Sequence, residues 1–195
     1  IIALAHYCER KGRGMGTFRY GLLIPGMVLA LFLGLIFIEP DWGATALLGT
    51  VCGLMLFLAG TKLRFIVPPV LALGTAGGFL LLQNTVRLNR ITSWLDPEGT
   101  KQGVGYQAWQ SLIALGSGGT TGLGLGNGRQ KLGFVPEHQT DFIFSVIGEE
   151  LGLVATMGVV VAFVLFVVCG AYIAMRSRDF FGFLLASGMT LLIGL

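Results

Sequence analysis

The chain has 195 residues, 54% hydrophobic and 12% charged, with a net charge of +3 and a mean hydropathy of +0.79. A soluble domain carries about 25% charged residues, so this composition excludes a water-covered surface and marks an integral membrane protein. The cations stand in short clusters that suit loop orientation better than a nucleic-acid footprint, and no nucleic-acid partner is expected.

Ile1 and the apolar stretch Phe180 to Leu195 do not look like natural ends, so the chain reads as a piece of a longer polytopic protein. Cys8, Cys52 and Cys169 are far apart, and two of them sit inside apolar runs. They read as small apolar packing residues without a disulfide or a metal.

In chain order, residues 1–19 hold Arg10, Lys11, Arg13 and Arg19 against Glu9. A first span is expected over 20–38, with Pro25 a possible kink, and the acidic turn Glu39-Pro40-Asp41 follows. A second span covers 42–60 with Trp42 at the interface, and a third covers 65–82 with Pro68 and Pro69 near its start. Residues 83–140 are mixed in character and read as one long loop. A fourth span covers 142–175 and a fifth covers 180–195, with Arg176 and Arg178 between them. The expected fold is therefore all-α, a polytopic transmembrane helix bundle.

Alternation of the short basic and acidic loops gives the orientation. It places 1–19, 61–64 and 176–179 in the cytoplasm, and 39–41 and the large loop 83–140 outside.

Charge beside hydrocarbon is costly and by default marks function. Glu137, His138, Asp141, Glu149 and Glu150 stand before and inside the fourth apolar run. Thr140 or Asp141 suits the N-cap of the helix that follows, and Asp141 equally suits a catalytic carboxylate. Glu137, His138 and Asp141 are weak as a zinc set, and an oxygen site of the magnesium type fits them better. An unbroken helix from Phe142 to Met175 would be roughly 50 Å long, against a hydrocarbon core of about 30 Å. Glu149 and Glu150 then either stand above the core or face a polar cavity. Pro40 is expected to start the second helix, with Asp41 in its first turn, where its charge complements the dipole, and helix capping is the ordinary reading of Glu39 and Asp41.

The glycine run Gly116 to Gly128 has neither a P-loop nor a dinucleotide pattern. It reads as a compact re-entrant or surface loop whose amides are available to a phosphate. Arg87, Arg90, Lys101, Arg129 and Lys131 in the long loop form either a solvated face or a pyrophosphate clamp.

These residues also carry a family resemblance. Glu39-Pro40-Asp41-Trp42-Gly43-Ala44-Thr45 and Arg90 through Pro97 each resemble a family motif, as do Gly105-Tyr106-Gln107 with Gln110-Ser111, Gly124-Leu125-Gly126-Asn127, and Pro136 through Gly152. Together the chain resembles the SEDS family, the shape, elongation, division and sporulation proteins of bacteria. The Glu-Pro-Asp form and Gly126 to Lys131 lean toward the FtsW-like division branch over the RodA-like elongation branch.

The resemblance implies a fragment from the middle of a protein with roughly ten spans, each about 20 residues long. It implies a peptidoglycan glycosyltransferase of the bacterial cytoplasmic membrane that polymerises lipid II into glycan strands at its outer face, at the division septum. It also implies a divalent cation (Mg²⁺ or Mn²⁺), a class B penicillin-binding protein and other division proteins as partners. The family's essential aspartate maps onto Asp141, whereas His138 is one residue off the family's spacing. Asp141 is thus the expected catalytic residue and a possible metal ligand. Arg90, Arg129 and Lys131 are expected near the pyrophosphates, Glu149 and Glu150 around the polar cavity, and Glu39 and Asp41 in support from a facing loop. The rival readings are a flippase for lipid-linked precursors, which would need acids near the bilayer midplane, and a non-catalytic division scaffold. Gly74, Gly77 and Gly78 would offer the scaffold a helix-packing patch.

Overall fold

The computed structural model describes residues 1–39, 41–103, 105–128 and 142–195, with the side chain of Arg87 outside that set. Every regular element among the described residues is helical. In order they are α1 (Ile2–Lys11), a 3₁₀ turn (Gly12–Gly16), a π turn (Arg19–Leu23), α2 (Ile24–Ile38), α3 (Trp42–Leu58), α4 (Leu63–Gln83), α5 (Thr85–Leu95), α6 (Tyr106–Gly118), α7 (Ile143–Arg176) and α8 (Phe180–Gly194). Among the described residues, three helical stretches are long and apolar enough to cross a membrane: Arg19–Ile38, Leu63–Gln83 and Ile143–Arg176. The helices Trp42–Leu58 and Phe180–Gly194 are apolar but shorter.

The chain divides into two compact units. The first comprises Ile1–Gly74 and Phe163–Leu195, and the second Thr75–Ala162.

In the first unit, α1, α3 and α8 pack around Leu4, Ala5, Cys8, Val51, Cys52, Met55, Leu56 and Leu184. Met55 and Ile1 press on Gly188, where an added Cβ would stand 2.6 Å from the Met55 sulfur. The close approach of α3 and α8 therefore depends on a small residue. Outside this core the helices are apolar all round. Met27, Leu31 and Phe32 on α2 are exposed, and α4 buries no residue at all. An apolar surface of that kind is stable against hydrocarbon and not against water.

Pro25 does not simply kink the first span. It lacks the N–H that would reach the Gly21 carbonyl in an α-helix, and the backbone just before it widens into the π turn Arg19–Leu23. The Gly21 carbonyl instead accepts from Thr61 Oγ1 at 3.2 Å. Thr61 is brought there by the end of α3. That helix stops at Leu58 rather than continuing to 60 because Gly60 takes φ +93°. Gly60 N–H then donates to the Phe57 carbonyl at 2.9 Å, and Thr61 N–H to the Leu56 carbonyl at 3.1 Å. This is the Schellman arrangement, in which a left-handed glycine satisfies the last carbonyls of a helix.

The start of α3 agrees with the span expected from 42 but not with Asp41 in the first turn. The helix begins at Trp42, with Asp41 as its N-cap rather than a residue of its first turn. Asp41 Oδ1 accepts the Ala44 N–H at 2.9 Å, the satisfaction of an orphan amide that Asp provides at this position. Pro40 lies outside the described residues.

In the second unit, the stretch expected as one long loop contains two helices. Helix α5 begins one residue after α4, with only Asn84 between them. Its exit is held by Asp96, whose Oδ1 accepts the Gly99 N–H at 2.9 Å and whose carbonyl accepts Thr100 Oγ1 at 2.7 Å. Asp96 is therefore a turn-former, as Asp commonly is beside Pro and Gly. Helix α6 then leads into the glycine-rich segment.

Helix α7 is not one continuous rod. Gly152 has φ +76° and ψ −172°, so the helix is broken there. From Leu153 to Arg176 the rise is about 35 Å at 1.5 Å per residue, close to a hydrocarbon core of about 30 Å. The excess length expected of an unbroken helix is removed by the break.

Candidate functional site

The break in α7 and the glycine-rich loop are two halves of one structure. In an unbroken helix, Leu153 N–H would reach the Glu149 carbonyl, and Val154 N–H the Glu150 carbonyl. Here Leu153 N–H donates to the Gly119 carbonyl at 2.9 Å and Val154 N–H to the Thr120 carbonyl at 3.3 Å. The two carbonyls released are taken by the loop: Leu123 N–H donates to Glu149 O and Gly124 N–H to Glu150 O, both at 2.9 Å. The loop backbone thus replaces, bond for bond, the pairs that the break removes. Buried backbone groups require such partners.

Glycine is what lets the two backbones approach. A Cβ on Gly122 would strike the Glu150 carbonyl, and one on Gly152 the Gly122 amide nitrogen. Both residues also adopt positive φ, +81° and +76°, a region that costs other residues energy. One turn earlier, Gly118 of α6 lies against the Gly148 carbonyl and Gly148 against the Leu115 side chain. This contact of small residues brings the end of α6 onto the first segment of α7.

The loop also reaches the two glutamates. Glu150 Oε2 accepts the Gly126 N–H at 3.1 Å. A Cβ at Gly128 would stand 2.9 Å from Glu150 Oε1 and 3.0 Å from Glu149 Oε2. The two carboxylates belong to adjacent residues, about 100° apart around a helix, yet both close on Gly128. Glu149 is 1% exposed, while Glu150 is half-buried. Burial of an acid beside hydrocarbon is costly unless its oxygens are satisfied, and that cost makes this cluster a candidate site.

The expected site residues fall as follows. Glu149 and Glu150 come together in the second unit and share contact with the loop. Arg90 stands exposed on α5 of the same unit. Glu39 and Asp41 are exposed at the α2–α3 turn in the first unit, where Asp41 acts as the cap just described. Arg129, Lys131 and Asp141, together with Glu137 and His138, lie outside the described residues.

No group of three or more His, Cys, Asp or Glu gathers among the described residues. The paired glutamates supply hard oxygen donors, and one or two carboxylates with water and substrate phosphate are the set Mg²⁺ ordinarily takes.

Sequence reasoning overlooked the exchange of hydrogen bonds between loop and helix, and with it Gly122, Gly124 and Gly152 as site-forming residues. The signal was present as a glycine run, Gly116 to Gly128, followed by a second glycine pair around the acids, Gly148-Glu149-Glu150-Leu151-Gly152.

Fold and site together define a polytopic α-helical membrane protein with an acidic pair on a broken helix. The chain belongs to the FTSW_RODA_SPOVE family, described as Cell cycle protein, whose pattern it matches over residues 1–195. It is 39% identical over 195 residues to the probable peptidoglycan glycosyltransferase FtsW of Trichlorobacter lovleyi, a match covering 100% of this chain and 51% of that protein. It is 41% identical over 198 residues to the probable peptidoglycan glycosyltransferase FtsW of Marinobacter nauticus, covering 100% of this chain and 50% of that one. The protein of the same name from Legionella pneumophila is 38% identical over 198 residues, with the same coverage of 100% and 50%. The chain thus spans about half the length of the curated relatives it matches. The family match together with relatives named FtsW supports an FtsW-like SEDS protein, as the motifs implied.

Proposed function

We propose that this chain is part of a peptidoglycan glycosyltransferase that polymerises lipid II into glycan strands at the outer face of the bacterial cytoplasmic membrane during division. The observation that carries the reading is the match over the whole chain to relatives named probable peptidoglycan glycosyltransferase FtsW. The loop locked onto the acidic segment of α7 supports it, because it gives the polar residues a rigid base next to a span. The orientation drawn from the basic and acidic loops puts 39–41 and 83–140 outside, where a lipid-linked sugar would be presented.

The lipid tail keeps both reacting sugars at the interface. An acceptor hydroxyl is a poor nucleophile, and Asp141 takes its proton as the new glycosidic bond forms. Such general-base help is typically worth 10²–10⁴-fold. The bond from the donor's anomeric carbon to the pyrophosphate oxygen breaks, and undecaprenyl pyrophosphate leaves with the electron pair. A single displacement inverts the anomeric centre and needs no covalent enzyme intermediate. Arg90, Arg129 and Lys131 neutralise the growing charge on the pyrophosphate. Glu149 and Glu150 shape the polar surface. A Mg²⁺ or Mn²⁺ ion would supply further positive charge, completing its shell from residues outside the described set or from substrate phosphate. A class B penicillin-binding protein and other division proteins at the septum are the partners this reading implies.

The test is polymerisation of purified lipid II by the full-length protein with its synthase partner, comparing wild type with Asp141→Asn. The variant is expected to make no glycan strands. Normal strands from the variant refute the assignment of the base. Transfer of precursor across vesicles by a wild type that makes no polymer points instead to a transporter.

A further inference from the structure

Two cations converge on one tyrosine in the first unit. Lys11 Nζ stands 4.6 Å from the centroid of the Tyr20 ring, and the guanidinium carbon of Arg19 stands 5.9 Å from it. Both cationic side chains are exposed. Among the described residues neither has a carboxylate within 4.0 Å, since Glu9, the one acid of residues 1–19, lies beside His6 instead. The face of a ring attracts a cation without neutralising it, so two positive charges remain here for an anion to meet.

Tyr20 is tied to an apolar groove. Its carbonyl accepts the Tyr7 hydroxyl at 2.9 Å, and Tyr7 lines a groove of about 320 Å³ between α1 and α2. Ala3 of α1, Pro25, Leu29 and Phe32 of α2, and Cys52 of α3 line it as well. Both α1 and α2 pack on α3, and the groove is the space left between them. From Pro25 to Phe32 it follows α2 for about 10 Å, a length that fits within one leaflet of a hydrocarbon core about 30 Å thick. Beside it Met27 and Leu31 are exposed, as residues facing hydrocarbon are.

We propose that this groove holds an acyl chain of an anionic glycerophospholipid whose phosphate is bound by Lys11 and Arg19. The site divides as the lipid does, with cations at one end and hydrocarbon along the rest. Arg19 offers a planar fork to two phosphate oxygens, and Lys11 a compact charge. The alternation of basic and acidic loops puts residues 1–19 on the cytoplasmic side, where basic pockets between spans take anionic headgroups. A helix of another protein laid in the groove would cover the apolar residues and leave both cations without an anion. A free phosphate would meet the cations and leave the groove empty. The lipid does both, and it ties α1 to α2 across the π turn that joins them. This is a structural role, independent of the glycosyltransferase reading.

The experiment uses the full-length protein in detergent with either phosphatidylglycerol, which is anionic, or phosphatidylcholine, which is zwitterionic. Native mass spectrometry reads the bound lipid, and thermal unfolding reads its effect on stability. Wild type is compared with Lys11→Gln/Arg19→Gln, with Ala3→Trp, which fills the groove, and with Arg178→Gln, which removes an exposed cation from another loop. Wild type is expected to prefer phosphatidylglycerol and to melt higher in its presence. Lys11→Gln/Arg19→Gln is expected to lose about tenfold or more in affinity for it, the scale of two cations near an anionic headgroup. Ala3→Trp is expected to release both lipids, and Arg178→Gln to bind as wild type does. Equal retention of the two lipids by wild type overturns the proposal, as does retention of neither. A loss in Arg178→Gln as large as in the double variant overturns it in favour of a diffuse attraction by all the basic loops. Release of phosphatidylglycerol by equimolar inorganic phosphate overturns it in favour of a free anion. If Ala3→Trp does not fold, the double variant decides alone, because both of its positions are exposed, and unchanged binding there overturns the proposal. No readout depends on polymerisation, so failure here leaves the catalytic reading standing.

Discussion

The Leu123 amide donates to the Glu149 carbonyl at 2.9 Å, in the place that Leu153 N–H would hold in a continuous helix. Gly152 makes this exchange possible, since its φ of +76° turns the chain out of the helix. Gly152→Ala places a Cβ against the Gly122 amide and the Thr120 carbonyl in a region unfavourable to alanine, and strain of this kind costs about 1–3 kcal/mol. The full-length protein in detergent is expected to melt several degrees lower and to gain protease cuts within 119–128. An unchanged melt and cleavage pattern would show that the loop does not depend on the break.

Glycines that look alike in sequence differ in consequence. Gly122→Ala meets the Glu150 backbone, whereas a Cβ on Gly77 meets nothing within 4 Å. Gly122→Ala is expected to destabilise markedly. Gly77→Ala is expected to be neutral or to stabilise α4 by up to about 1 kcal/mol, the difference in helix propensity. Thermal unfolding of the two variants side by side checks this. A large loss at Gly77 would reveal that this face is packed in the full-length protein.

Asp41 holds the first turn of α3 through Ala44. Asp41→Ala is expected to cost about 1 kcal/mol, and Asp41→Asn almost nothing, because asparagine caps equally well. Polymerisation by Asp41→Asn separates the two roles. Stability retained with a several-fold loss of rate assigns the charge a part in the site, and an unaltered rate leaves Asp41 as a cap alone.

Burial pushes the Cys8 thiol from its ordinary 9.0 up to about 11. The thiolate is the reactive form, so iodoacetamide at pH 8 is expected to leave Cys8 unmodified until the protein is unfolded, as read by mass spectrometry. The folded value is the higher one, so folding favours the neutral thiol. Its contribution to stability is intact below about pH 9 and is lost as pH rises toward 11.

The membrane class was legible because it depends on composition and run length. An uncharged stretch such as Phe65–Leu82 needs no partner to declare itself, since a run of about 20 residues matches the hydrocarbon thickness. The cap at Asp41 and the turn at Asp96 were within reach for a similar reason, each arising from atoms three or four residues apart. The span expected from 42 starts where α3 does, but Asp41 was placed inside the first turn, because Pro40 and Asp41 both suit a helix beginning and only the bond to Ala44 separates them.

The site was less legible. Gly148, Gly152 and Gly158 are evenly plausible breaks in an apolar run, and only Gly152 becomes one. What selects it is a set of hydrogen bonds to residues about thirty positions earlier, with the loop supplying donors and acceptors that a helix would otherwise find within itself. The sequence by itself determined a multi-pass membrane protein of the FtsW/RodA/SpoVE family, since hydrocarbon length and local motifs are written in order along the chain. Only the tertiary structure decided that the glycine run and the acidic pair are one object. Their association consists of backbone bonds and close contacts between distant residues, and no local pattern encodes those.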